Sequence, residues 1–170
     1  MRTLLLLLFL ANLILSLGSW LILPDPAAIH FGRGGVPDSW APPYAQALLF
    51  LILELPLFLL FYFGPERIPR LSPRWLSLPN RQYWLAEENR GHLRGILAQY
   101  WTEFGVGIFV FLFLVGLLSL EANLAEPVRL NEALFFPVFG LFMLYTLVWC
   151  VRFVLALRVP RGEGGGREQG

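Results

Sequence analysis

The sequence predicts an all-α fold, an integral membrane bundle of four transmembrane helices with an amphipathic helix on its cytoplasmic side. Three observations lead there. Hydrophobic residues make up 56% of the chain and charged residues 15%, a balance that a soluble domain does not show. Four apolar runs, at about 4–23, 44–63, 104–120 and 134–157, each approach the roughly twenty residues that cross a hydrocarbon core of about 30 Å. All thirteen basic residues are arginine, and they are unevenly distributed. Arg67, Arg70, Arg74, Arg81, Arg90 and Arg94 lie in segment 64–103, whereas the two loops on the other side hold Arg33 and Arg129 alone. By the positive-inside rule segment 64–103 is cytoplasmic, both termini share its side, and loop 24–43 is external.

Taken in order, the first run reads as a span because it continues unbroken to Leu23, although Arg2 followed by Ser16 and Gly18 also fits a cleaved leader. Pro24 and Pro26 end it. Asp25 and Pro26 suit the cap and first position of a short helical turn through Ala27, Ala28 and Ile29, with His30 at its end. Gly32, Gly34 and Gly35 then permit positive-φ turns that return Asp38 toward His30. The second span enters through Pro42 and Pro43 and leaves at Gly64 and Pro65. After Pro79 the chain is free of proline to Glu103, so a helix is expected from Asn80. Its apolar stripe, Leu93, Ile96, Leu97, Tyr100, Trp101 and Phe104, predicts that it lies along the membrane surface before turning in. Gly91 and Gly95 match the small-residue dimer spacing, but among charges rather than within an apolar twenty-mer.

The third span is short and leads to a brief acidic loop, Glu121 to Glu132. The fourth contains Pro137 and carries Arg152 near its inner end, within reach of headgroups. Cys150 reads as a small buried apolar side chain, with no second cysteine to pair with. The organisation is thus one membrane domain over 1–160 and a glycine-rich tail, 161–170, too polar to fold.

Two groups of residues invite chemistry. Glu54 falls near the middle of the second span, where a lipid-facing carboxylate costs on the order of 3 kcal/mol, so it should face the bundle. Asn12, Tyr145 and Thr146 fall at the same depth, which predicts one hydrogen-bonded layer with Glu54, read either as helix glue or as a proton or substrate relay. His30 and Asp38 form the second group. Asp38 orients the imidazole, or the pair contributes to a metal site, or the loop docks a ligand. Zinc requires three or four protein ligands, so Asp25, Glu121, Glu126 or Glu132 would have to join them. No nucleophile stands beside a base, no phosphate-cradling glycine loop follows a strand, and His92 reads as a solvated surface residue. No cofactor is expected. A net charge of +1 leaves no basic face for nucleic acid.

Leu23-Pro24-Asp25, His30-Phe31, Gly35 and Pro37-Asp38, placed directly after a first span, resemble a domain-of-unknown-function family of bacterial multispanning proteins. That family includes the immunity membrane protein that protects a toxin-producing cell from its own secreted killing peptide. A second stretch, Leu78 to Leu85 with Asn80, Tyr83 and Trp84, is similar to the asparagine-tyrosine-tryptophan segment after the second span in related proteins. The chain departs from the pattern at Ala28 and Glu87, where proline is usual. The resemblance implies a bacterial cytoplasmic (inner) membrane location and an external loop bearing His30, Phe31, Gly35, Pro37 and Asp38.

The expected function is a non-enzymatic membrane protein whose external loop senses a ligand or confers peptide immunity and relays occupancy to the arginine-rich inner segment. Its partners would be the lipid bilayer, an extracytoplasmic peptide or protein, and a cytoplasmic regulator. The alternatives are a metal-dependent membrane enzyme or small proton-coupled carrier, using His30 with Asp38 or Glu54, and a structural subunit of a membrane complex.

Overall fold

The computed structural model describes residues 1–67 and 79–159. The tail 161–170, and Arg70, Arg74 and Leu78 of segment 64–103, lie outside the described residues. Among the described residues the chain forms α1 (Arg2–Ile22), β1 (Ala27–Phe31), a single 3-10 turn (Arg33–Gly35), β2 (Pro37–Ala41), α2 (Pro43–Arg67), α3 (Arg81–Leu85), α4 (Glu87–Leu124) and α5 (Glu132–Ala156). α1, α2, α4 and α5 are long and apolar enough to cross a membrane. The fold is an all-α bundle with one small two-stranded sheet.

α1 stops at Leu23, whose amide still bonds to Ser19 O while Pro24 offers no donor to continue. α2 runs through Pro56 and into Pro65 without breaking. α1, α2 and α4 meet in an apolar layer of Leu5, Phe9, Phe58, Phe61 and Phe109. Phe9 stacks on Phe58 at 4.2 Å, and Phe109 stands edge-on to both, the arrangement that ring quadrupoles favour. Gly105 admits Phe61, and Gly64 admits Trp101, whose Nε1 donates to Leu60 O at 3.1 Å.

α5 buries none of its residues and packs mainly on α4. Gly107 leaves the space that Tyr145 occupies. Tyr145 then donates to Glu103 O at 2.7 Å, and Trp149 to Tyr100 O at 3.1 Å. Arg152 pairs with Glu103 and lies over the Tyr100 ring, so its charge is matched from α4 rather than by reaching headgroups alone. Cys150 is exposed instead of buried, because α5 has a packed face toward α4 only and Cys150 is on its outer side.

The amphipathic segment differs from expectation. It does not lie flat and turn in: α4 continues from Glu87 to Leu124 as one helix of 38 residues, about 57 Å long at 1.5 Å per residue. Asn80 adopts a left-handed conformation, φ 53°, before the short α3, and Ala86 at ψ 140° separates α3 from α4. The apolar stripe is covered by protein. Leu93, Ile96 and Leu97 pack with Trp84 and Leu157, and Tyr100 packs against Trp149 and Phe153. Trp84 is buried and donates to Leu157 O at 2.8 Å. His92 is exposed, with its ring stacked on Trp84.

At the same end Arg2 pairs with Glu66 at 2.7 Å. The start of α1, the end of α2, α3 and the end of α5 therefore share one end of the bundle, opposite the β1–β2 hairpin. A methyl added at Gly105 would lie 2.7 Å from Phe61 Cβ, whereas one at Gly91 meets nothing within 4 Å. Gly105→Ala is expected to destabilise by about 1–3 kcal/mol, and Gly91→Ala to be neutral or stabilising, read as the thermal transition of the purified protein in detergent.

Candidate functional site

Two sites emerge, one on the hairpin and one inside the bundle beneath it. The segment after Pro26 is a strand, not the helical turn that Asp25-Pro26 suggested. Asn123 of α4 decides this by accepting from Ala28 N at 2.6 Å and donating to Ala28 O at 3.0 Å. Those bonds hold Ala28 extended, and Ala27 and Ala28 are fully buried.

β1 and β2 run antiparallel, pairing Ala28 with Trp40, His30 with Ser39 and Phe31 with Pro37. The register slips once past Ile29 and once past Asp38, and such irregularities re-aim neighbouring side chains. His30 Nδ1 donates to Asp38 Oδ1 at 2.6 Å, with both side chains mainly in solvent. This bond leaves Nε2 as the ring nitrogen available to a ligand.

The glycines divide the work differently from expectation. Gly34 and Gly35 carry the positive φ values, 75° and 70°. Gly32 has φ −85° and instead provides room, since a Cβ there would lie 2.8 Å from Asp38 Oδ2. Gly35 is also buried against the Leu130 backbone, whose amide donates to Gly35 O at 2.9 Å. Arg129 Nε adds a bond to Gly34 O at 2.7 Å. The hairpin is thereby fastened to both α4 and the loop before α5.

Among the described residues no three His, Cys, Asp or Glu side chains come together to hold a metal ion. His30 and Asp38 are a pair without Asp25, Glu121, Glu126 or Glu132 as a third ligand.

The inner site is a polar cavity of about 10 Å³ between α1, α2 and α4, roughly room for one water. Asn12, Ser16 and Ser19 line it from α1, Gln46 and Glu54 from α2, and Gly116 stands at its α4 wall. Glu54 is 2% exposed. Most of the donors here are already committed. Asn12 Nδ2 donates to Leu8 O and Phe109 O, Ser16 to Ala47 O, Ser19 to Leu15 O, and Gln46 Nε2 to Ser119 Oγ at 3.0 Å. Gln46 Oε1 is left as a buried acceptor without a partner among the described residues.

The expected four-residue layer does not form. Asn12 and Glu54 line one cavity, but Tyr145 bonds to Glu103 O and Thr146 to Phe142 O of its own helix. Tyr145 meets α4 at Glu103 and Gly107, whereas Asn12 meets it at Phe109 and the cavity at Gly116, and α5 packs mainly on α4 rather than on α1 or α2. Ser16, Ser19, Gln46 and Asn123 were not singled out from the sequence. A signal existed for the first two, because positions 12, 16 and 19 follow helical spacing along one face of α1.

Residues 7–55 match the domain of unknown function DUF1648. This segment takes in most of α1, the hairpin and the first half of α2, including His30, Asp38, Gln46 and Glu54. The match supports a resemblance, over this segment, to a family of unknown function. Neither the comparison with curated proteins nor that with solved structures gives a match.

Asn123 supplies the test of how the hairpin is held. Replacing it with Ala leaves Ala28 N and O unpaired, at about 1–3 kcal/mol for each buried group. Asn123→Ala should lower the thermal transition and speed hydrogen exchange across 27–31, with exchange at 93–101 unchanged.

Proposed function

We propose that this is a non-enzymatic membrane protein that binds an extracytoplasmic ligand on its hairpin and relays occupancy through α4 to the arginine-rich segment around 64–103. A secreted, envelope-active peptide is the ligand chemistry that suits the hairpin best, which makes peptide immunity the specific form of this reading. The arginine distribution supports an orientation with the hairpin outside and both termini in the cytoplasm of a bacterial inner membrane.

The observation that carries the proposal is the solvent-facing His30–Asp38 pair on a hairpin that does not depend on it. Exposed ion pairs contribute about 0.2–1 kcal/mol, whereas the hairpin is already fastened by Asn123, Arg129 and Leu130. The pair is therefore free to serve a ligand. Beside it Ile29, Val36 and Trp40 are exposed, and an apolar surface next to an imidazole and a carboxylate suits an amphipathic peptide. The continuity of α4 from Asn123 to the Trp84 cluster supports the relay, because a rigid helix transmits displacement over its full length.

Cells that express the protein and are challenged with secreted envelope-active peptides test this reading. Protection is expected from the wild type and its loss from His30→Ala and Asp38→Asn, with both variants folded and present at wild-type abundance. Full protection by His30→Ala, or labelling of intact cells at position 90 and not at position 39, would sink it.

A further inference from the structure

The surroundings of Glu54 differ on its two sides. Toward the hairpin, polar side chains recur along the α1/α2/α4 junction, interleaved with Leu15, Ala47 and Phe50. Glu54, Asn12, Ser16, Ser19 and Gln46 all border the one small cavity, which has room for about one water. Gln46 then donates to Ser119 Oγ, and Asn123 donates to Ser119 O and grips Ala28 of β1. Away from the hairpin the same junction is filled by Phe9, Phe58, Phe109, Leu5 and Phe61. Three of those rings lie in mutual contact.

We propose that Glu54 is a proton-binding site that exchanges with the hairpin side of the membrane along this polar seam and is closed from the opposite side by the aromatic layer. The orphan acceptor Gln46 Oε1, in a residue 5% exposed, is the second observation that identifies the seam as built for a donor. Most amide and hydroxyl donors that line it are spent on carbonyls and on Ser119, so what the seam chiefly offers are oxygen lone pairs. A water or a hydronium meets them by donating hydrogen bonds. A proton arriving from the hairpin side passes by water to a Glu54 carboxylate oxygen, which it converts to the neutral acid, and it leaves by the same path.

Among the described residues no other titratable group lines the cavity with Glu54. α1 presents Asn12, Leu15, Ser16 and Ser19 to it, and α4 presents Gly116. The charged residues of these helices lie elsewhere. Arg2 and Glu66 pair at the far end, Glu103 pairs with Arg152 on the α5 side, and Glu121 is exposed near the hairpin. The exchange is thus governed by Glu54 and the path to it, whatever ligand the hairpin takes.

Dicyclohexylcarbodiimide, which modifies carboxyl groups that are protonated and shielded from bulk water, reads this site in the intact protein. The chain is reconstituted in phosphatidylcholine vesicles with interior and exterior pH set independently, and orientation is read with an impermeant maleimide on Ser39→Cys in a Cys150→Ser background. Adduct at Glu54, located by mass spectrometry and lost in Glu54→Gln, is expected to rise as the hairpin-side pH falls and to ignore the opposite side. Gln46→Leu is expected to abolish that response. Adduct that follows the opposite side, follows both sides equally, or stays flat with pH in the wild type overturns the proposal without reference to any variant.

Discussion

The structure depends on α4 remaining one unbroken helix. α1 and α2 pack against it on one side and α5 on another, α3 docks beside its first turns, and the hairpin is gripped near its last. Within a membrane the lipid tails are as apolar as leucine, so helices gain little by hiding apolar surface from them. Association rests on close packing and on interhelical hydrogen bonds. Both recur along α4. Gly105, Gly107 and Gly116 let Phe61, Tyr145 and Leu15 approach its backbone. The bonds follow one pattern, a side-chain donor reaching a carbonyl oxygen on the neighbouring helix. Asn12 reaches Phe109 O, Trp101 reaches Leu60 O, Tyr145 reaches Glu103 O and Trp149 reaches Tyr100 O. Each bond of this kind contributes about 0.6 kcal/mol in a membrane. The two that α5 makes, at Tyr100 and Glu103, help hold it to α4 although it buries no residue of its own.

The core is divided along its length by chemistry. Near the terminal end it is aromatic and dry; near the hairpin end it is built of serine, asparagine, glutamine and one glutamate. That division follows from sequence positions on antiparallel helices. Phe9 precedes Asn12, Ser16 and Ser19 on α1, while Gln46 and Glu54 precede Phe58 and Phe61 on α2, so antiparallel pairing joins like with like. Apolar pairing requires only shape, whereas each polar group needs a partner or water. The polar half is consequently the part of the bundle whose stability responds to hydration and protonation.

Much of this architecture was legible in the sequence. Length and hydropathy sufficed for the four spans, and the cost of a carboxylate in lipid sufficed to turn Glu54 inward. The meeting of His30 with Asp38 was legible through the glycines between them, although Gly32 contributes space rather than a positive φ. What escaped depends on contacts between distant positions. Asp25-Pro26 reads equally well as a helix start, and only the bonds between Ala28 and Asn123, 95 residues apart, select the strand. Counting along each span placed Tyr145 level with Asn12 and Glu54, but Tyr145 meets α4 at Glu103 and Gly107 while the cavity meets it at Gly116, and periodicity fixes azimuth only relative to the same helix. It therefore did not reveal that α5 stands outside the α1/α2/α4 junction. The stripe on α4 was visible, while its cover, Trp84 with Leu157 and Phe153, is assembled from three separate parts of the chain.

Asn123 belongs to both sites, and this ties them together. Its side-chain amide joins Ser119 O, at the end of the polar seam, to Ala28 O in β1. The same side chain also accepts from Ala28 N, so displacing β1 removes two bonds and frees Asn123 to shift toward Ser119 and Gln46. A ligand that binds the displaced hairpin better than the docked one therefore alters the outer end of the path to Glu54. By linkage, a change in the charge of Glu54 that alters the seam changes the ligand's affinity by the same factor. Asn123 takes part in three of the bonds that carry the coupling, two to Ala28 and one to Ser119 O, and the bond from Gln46 to Ser119 Oγ carries it on to the cavity.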